Sequence, residues 1–297
     1  MAAIGVMTTE FDGSDLAEVA DRIVEHGIDT VQLQLGSAVA EVAVRDALLF
    51  GLDVLGPHLD ADFAAQTSEV LRTRGIRVAA VDGTYNMIHP DPDRRERNLR
   101  HLITLIDLTH LFDTDIVAVC TGTRQDIMWQ HSPLNASDEA WSDLLDQLRP
   151  AARAAEAAQV RLAFEPEYNN VVNSAQNARR LMDEIGSPAV KVLMDVANIF
   201  HAGDLERMSD HLDAVFDLVG DDIVLAHAKD LDHDADAGGR AAGQGKLDYA
   251  HYLLQLQQHR FDGAIVLHQL KELAPDRFDE AFDHVRRQAP AGYLTTS

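Results

Sequence analysis

Eight short apolar runs, rich in β-branched residues, recur along the chain: AIGVMT (3–8), TVQLQL (30–35), IRVAAV (76–81), DIVAVC (115–120), VRLAFE (160–165), VKVLMD (190–195), DIVLAH (222–227) and GAIVLH (263–268). Between them lie segments whose apolar residues recur near the helical period, such as LAEVADRIVEHG, NLRHLITLIDLTHLF and DLLDQLRPAARAAEAA. Capping residues open several of these: Ser14 ahead of the first helix, and Ser174 ahead of a segment that closes on Gly186. The runs lack strict polar alternation, as expected of parallel strands covered on both faces. No Pro/Gly-rich linker divides the units. Eight strand–helix units in 297 residues predict a (β/α)8 TIM barrel, one domain spanning residues 1–297. A doubly wound open sheet would more typically carry a Gly-rich turn after its first strand, where this chain has TTEFDG.

In such a barrel the C-terminal ends of the strands and the loops after them form the active face. The last four runs end on Glu165, Asp195, His227 and His268, each one repeat after the last. A lone acid after a strand is ordinarily a cap, and a lone histidine is ordinarily structural. Four at successive strand ends converge on one half of the rim instead. This mixed carboxylate and imidazole set predicts one divalent metal ion of the Mn2+, Co2+, Zn2+, Fe2+ or Mg2+ type. Glu167 rivals Glu165, but it falls two residues past the strand end and is expected to face a loop. The loop after the third run offers Asp82, Asn86 and His89, and the loop after the fourth offers Thr121, Gly122, Arg124, Trp129 and His131. Lys229 lies two residues past a proposed ligand, and Arg240 in AGGRAAGQGK is placed to meet an anionic substrate group. Polar groups beside an aromatic wall suit a small sugar or polyol, so Asn86, His89, Arg124, Trp129, Lys229 and Arg240 are the expected substrate contacts.

The formal net charge of −24 repels phosphate backbones, and no block of Lys and Arg compensates, so no nucleic-acid partner is expected. No stretch of eighteen apolar residues occurs, so no membrane partner is expected either. The N-terminal residues lack a basic segment leading into a long apolar core, and a cytoplasmic location is the expectation. Cys120, the one cysteine, sits in an apolar run and reads as a buried strand thiol. Self-association into a homo-oligomer is left open.

The segments LAFEPEYNNVVNSAQNARRLMDEIGSPAVKVLMDVANIF, VLAHAKD and GQGKLDYAHYLLQLQQHRFDGAIVLH resemble the sugar phosphate isomerase/epimerase proteins. Those proteins carry a xylose-isomerase-like barrel, and their superfamily also includes endonuclease IV. The resemblance covers nearly the whole chain and implies a divalent-metal-dependent isomerase or epimerase that works through an enediolate. The Glu, Asp and His of that pattern fall on Glu165, Asp195 and His227. Epimerases of this type take a second glutamate from the last strand as ligand and acid/base, where this chain has His268. The resemblance therefore implies Glu165 as ligand and base, with His268 or Glu272 as the returning acid. A dehydratase or lyase would begin from the same step. A non-catalytic, degenerate sugar-binding barrel is the alternative, and an endonuclease-IV-like repair enzyme is disfavoured by the charge.

Overall fold

Parallel pairing runs around the molecule and returns to its starting strand. A computed structural model describes residues 1–295. Its strands are β1 (Ala3–Met7), β2 (Thr30–Leu33), β3 (Arg77–Asp82), β4 (Ile116–Cys120), β5 (Arg161–Glu165), β6 (Val190–Met194), β7 (Ile223–Asp230), β8 (Arg240–Ala241) and β9 (Ala264–Leu267). Successive strands from β1 to β7 pair in parallel, β7 pairs with β9, and β9 pairs with β1. Eight parallel strands thus close a barrel, and helices cover it, giving the TIM barrel that the sequence predicts. Only β8 is extra: it forms a short antiparallel pair with the end of β7. Among the described residues no helix is long and apolar enough to cross a membrane.

Side-chain alternation along each strand divides the core in two. Val117, Val119, Leu162, Phe164, Val192, Met194, Ile265 and Leu267 join the large cluster under the helices. Met7, Ala80, Ile116, Ala118, Ala163, Leu193, Leu225, Ala264 and Val266 form a separate cluster in the barrel interior. Extending that parity to the C-terminal ends carries Gln32, Asp82, Cys120, Glu165, Asp195, His227 and His268 onto the inner face. All seven are buried. Small alanines below them leave the interior filled without side chains crowding the mouth.

Three local expectations need correction. β7 does not end at His227 but continues to Asp230, because β8 supplies the end of the strand with a partner. β2 stops at Leu33, and the chain turns into a 3-10 helix at Leu35–Ser37. The first helix, Leu16–Glu25, is capped by Asp15, whose carboxylate accepts from the Glu18 amide; Ser14 instead donates its amide and hydroxyl to the Glu18 carboxylate. The helix at Ala175–Ile185 begins and ends as expected, with the Ser174 hydroxyl as cap and Gly186 in the left-handed region.

The chain between β2 and β3 adds two short helices, Val44–Phe50 and Leu52–Leu55, at the barrel mouth. Gly51 joins them with φ of +50°, and a Cβ there would lie 1.8 Å from the Thr84 carbonyl oxygen. That same oxygen accepts a hydrogen bond from the Leu52 amide. Gly51→Ala is expected to destabilise the fold by roughly 2–4 kcal/mol, since neither backbone can retreat without losing this bond. Chemical denaturation measures it, and a loss below about 0.5 kcal/mol would contradict the close approach.

Candidate metal centre

A cavity of about 390 Å³ opens at the C-terminal ends of the strands. Its floor holds Glu165, His227 and His268 with Gln32 and Lys229, and Asp195 lies buried against them. A larger depression of about 760 Å³ at the other end of the barrel is lined by strand starts such as Ile76, Arg77 and Arg161, and none of these groups reaches it. Asp195 Oδ2 stands 3.0 Å from His268 Nε2 and 3.7 Å from His227 Nδ1, while Glu165 Oε1 stands 3.5 Å from the same Nδ1. Among the described residues, Asp195, His227 and His268 are the one group of three acids, histidines or cysteines close enough to share an ion.

The donor set fits a divalent ion. Oxygen and nitrogen ligands about 2.1 Å from a metal sit about 3.0–3.4 Å apart in octahedral or tetrahedral arrangement, close to the separations seen here. His227 Nδ1 is fully buried and has no hydrogen-bond partner. A buried nitrogen in that state is costly unless something else satisfies it. The other ring nitrogen, Nε2, lies 2.8 Å from Gln32 Oε1. A proton held there leaves the Nδ1 lone pair facing two carboxylates, an arrangement that calls for a cation between them.

Electrostatics point the same way. Burial opposes ionisation of Asp195, but the Lys229 ammonium and the two imidazoles hold its carboxyl well below the usual carboxylate range. Burial also disfavours a charged His227, yet the Asp195 and Glu165 carboxylates outweigh it and push the imidazole up to about 9. The site therefore draws positive charge to the Nδ1 position, where a metal ion would supply it in place of a proton. Burial, only partly offset by Asp195, pushes His268 down to about 4, so it is neutral and able to ligate at physiological pH. Burial raises Glu167 to about 7 and Asp82 to about 6.

Residues 20–288 match the family described as xylose isomerase-like TIM barrel. The chain belongs to that family. No curated protein matches it significantly by sequence. Among solved structures it is similar to the 3-keto-D-glucoside 4-epimerase of E. coli, at 16% identity over 97% of this chain and 100% of that one, with a TM-score of 0.72. It is similar also to the D-psicose 3-epimerase of Clostridium cellulolyticum H10, solved with D-tagatose, at 15% identity over 96% and 98% of the two chains and a TM-score of 0.69. A third, a xylose isomerase-like TIM barrel protein of Mycobacterium smegmatis in complex with magnesium, has 14% identity over 97% and 96%, with a TM-score of 0.70.

Within this xylose isomerase-like barrel, the sequence-predicted contacts divide. Trp129 and Lys229 line the cavity, as do Asp82 and Glu167. Glu167 also binds the loop behind it, accepting from the Asn169 amide and from the Asn170 side chain. Asn86, His89, Arg124, Arg240 and Glu272 do not line it, because each is committed elsewhere. Asn86 ties two loops together, donating to the Gln125 carbonyl and accepting from the Thr123 amide. Both ring nitrogens of His89 are engaged, with Asp126 and the Asp91 amide. Arg124 donates to Asp143 and the Ile88 carbonyl. Arg240 pairs with Asp232 and Glu272, and Glu272 also accepts from the Ala241 amide, so it is held away from the floor. Thr121, Gly122 and His131 likewise lie outside the cavity lining: Thr121 accepts from the Val172 amide, the Gly122 amide donates to Asn170, and the His131 ring packs near Tyr168.

Two residues of the site escape a search for strand-end ligands. Asn198 donates to Glu165 Oε1 at 2.8 Å and accepts from Lys229 Nζ at 2.5 Å, linking the carboxylate to the ammonium. Gln32 orients His227; its signal was a polar residue at the inward parity of TVQLQL. Gln32→Leu is expected to weaken divalent-metal affinity about 10–100-fold, as loss of an outer-shell partner generally does. Competition against a chelating dye reads this, and unchanged affinity would show that Gln32 does not set the tautomer.

Proposed function

We propose that this protein is a divalent-metal-dependent isomerase or epimerase acting on a small sugar, ketose or related polyol. The observation that carries the reading is the convergence of Asp195, His227 and His268 at the cavity floor, with Glu165 Oε1 3.5 Å from the buried, unpartnered His227 Nδ1. The similarity to a 3-keto-glucoside epimerase and a psicose epimerase supports it, as does a magnesium-bound relative.

Asp195, His227, His268 and Glu165 would hold the ion. When bound, it supplies Lewis-acid stabilisation to a carbonyl and adjacent hydroxyl oxygen, which acidifies the neighbouring C–H. Glu165 takes that proton through a carboxylate that Asn198 orients. Lys229 holds Asp195 ionised at 3.0 Å and brings a positive charge to the cavity wall, where it would offset negative charge developing on a substrate oxygen. Glu272 is fixed to Arg240 and the Ala241 amide, which leaves Glu167 as the second glutamate on the cavity wall and the candidate to return the proton. Incubation of metal-loaded protein with a keto-sugar and inositol library in deuterated water tests the reading by NMR. Metal-dependent exchange at a carbon beside a carbonyl is the expected result; exchange into none of the library would overturn it.

A further inference from the structure

Barrels of this architecture commonly bind phosphate with backbone amides in the loops after the seventh and eighth barrel strands. Here both loops present such amides, and the protein's own carboxylates occupy them. After β7, Asp230 accepts from the amides of Leu231, Gly243, Gly245 and Leu247 at 2.8–3.1 Å. After β9, Glu10 accepts from the amides of Gln269, Leu270 and Lys271 at 2.7–3.3 Å. Cations near the rim are also spent: Arg240 on Asp232 and Glu272, Lys271 on Asp12, Arg124 on Asp143. Among the described residues Lys229 is the one Lys or Arg on the cavity wall, and it is bound to Asp195. A phosphate dianion entering this cavity would meet Asp82, Glu165 and Glu167, with its one ammonium already paired and both backbone amide clusters filled.

The outer wall has the opposite character. Leu48, Leu49 and Met128 line it with Trp129, whose indole donates to the Leu48 carbonyl at 2.7 Å and so fixes the ring edge-on to the neighbouring helix. Leu48 and Trp129 are 39% and 36% exposed, among the most exposed large apolar side chains of the molecule, yet they face a cavity rather than open surface. At about 390 Å³, that cavity has space beyond a single sugar ring on its polar floor.

We infer that the substrate is an uncharged, unphosphorylated sugar or cyclic polyol bearing an apolar substituent, which lies against Trp129 and Leu48 while the ring sits over the metal ligands. The inference rests on the proposed sugar chemistry and narrows it to glycoside-like substrates.

Calorimetry on metal-loaded protein tests it with methyl and phenyl β-D-glucosides and β-D-galactosides beside glucose 6-phosphate and galactose 6-phosphate. Phenyl glycosides are expected to bind about tenfold more tightly than methyl ones, the gain from covering part of one aromatic ring. The sugar phosphates should bind more weakly than either. Trp129→Ala and Leu48→Ser should each narrow the gap between phenyl and methyl glycosides. Equal affinity for phenyl and methyl compounds, tighter binding of the phosphates, or binding of none of the six overturns the inference. The proposed reaction is judged separately by deuterium exchange into unsubstituted keto-sugars, so it can stand while this inference falls.

Discussion

Glu165→Gln is expected to slow solvent-deuterium exchange into a keto-sugar substrate roughly thousandfold, within the range general-base catalysis contributes. The substitution is nearly isosteric, and a glutamine oxygen can still accept from Asn198 as Glu165 Oε1 does at 2.8 Å. What it removes is the basic lone pair and one unit of charge at a position 3.5 Å from His227 Nδ1. Metal affinity should fall as well, so the comparison is made at saturating metal. Under those conditions the loss appears in the exchange rate with little change in sugar affinity, because the proton transfer matters in the transition state and not in the bound ground state. Exchange within about twofold of the wild-type rate would place the base elsewhere, with Glu167 on the same wall as the next candidate.

Asp195→Ala has the second large effect, on metal content. Loss of an outer-shell partner costs 10–100-fold in affinity, so deletion of the proposed ligand, a carboxylate 3.0 Å from one imidazole and 3.7 Å from the other, should cost at least about 100-fold. The same deletion leaves the buried Lys229 ammonium with Asn198 alone. Removing one partner of a buried ion pair destabilises by about 3–5 kcal/mol, so the variant should also melt early. Asp195→Asn separates the two effects: it keeps an acceptor for Lys229 and restores part of the stability, but it lacks the charge that the metal needs. Elemental analysis of protein purified without chelator, beside thermal melts, reads both. Equal metal content in wild type and Asp195→Ala would remove Asp195 from the site.

Much of the barrel is legible because strand runs and helical periods are local patterns, and their number alone fixes closure. The placement of Asp195, His227 and His268 is legible for a related reason. Strand alternation decides which face a residue takes, and the strand end decides its height in the barrel. Where the chain leaves regular structure that arithmetic stops. Nothing in the spacing of Asn86, Arg124 or Arg240 tells that Gln125, Asp143 or Asp232 lies within hydrogen-bond reach, since Gln125 comes from another loop, Asp143 from the helix Asp138–Ala158 and Asp232 from the turn ahead of β8. Glu272 follows the same rule: two residues of β8 and its own turn capture it. The short helices around Gly51 were equally hidden, because their role depends on contact with Thr84 from another repeat. Gln32 could have been found by applying the inward parity to the early strands as it was applied to the late ones.

The most direct measurement of the central claim is an X-ray absorption spectrum at the metal edge of protein loaded with one equivalent of Mn2+. The expected spectrum has a first shell of oxygen and nitrogen only, at about 2.1–2.2 Å, with the outer-shell scattering of two imidazoles, and it loses that imidazole signal in a His227→Ala, His268→Ala double variant. A spectrum showing only hydrated ion, or one unchanged in the double variant, would contradict a metal centre at the mouth of this barrel.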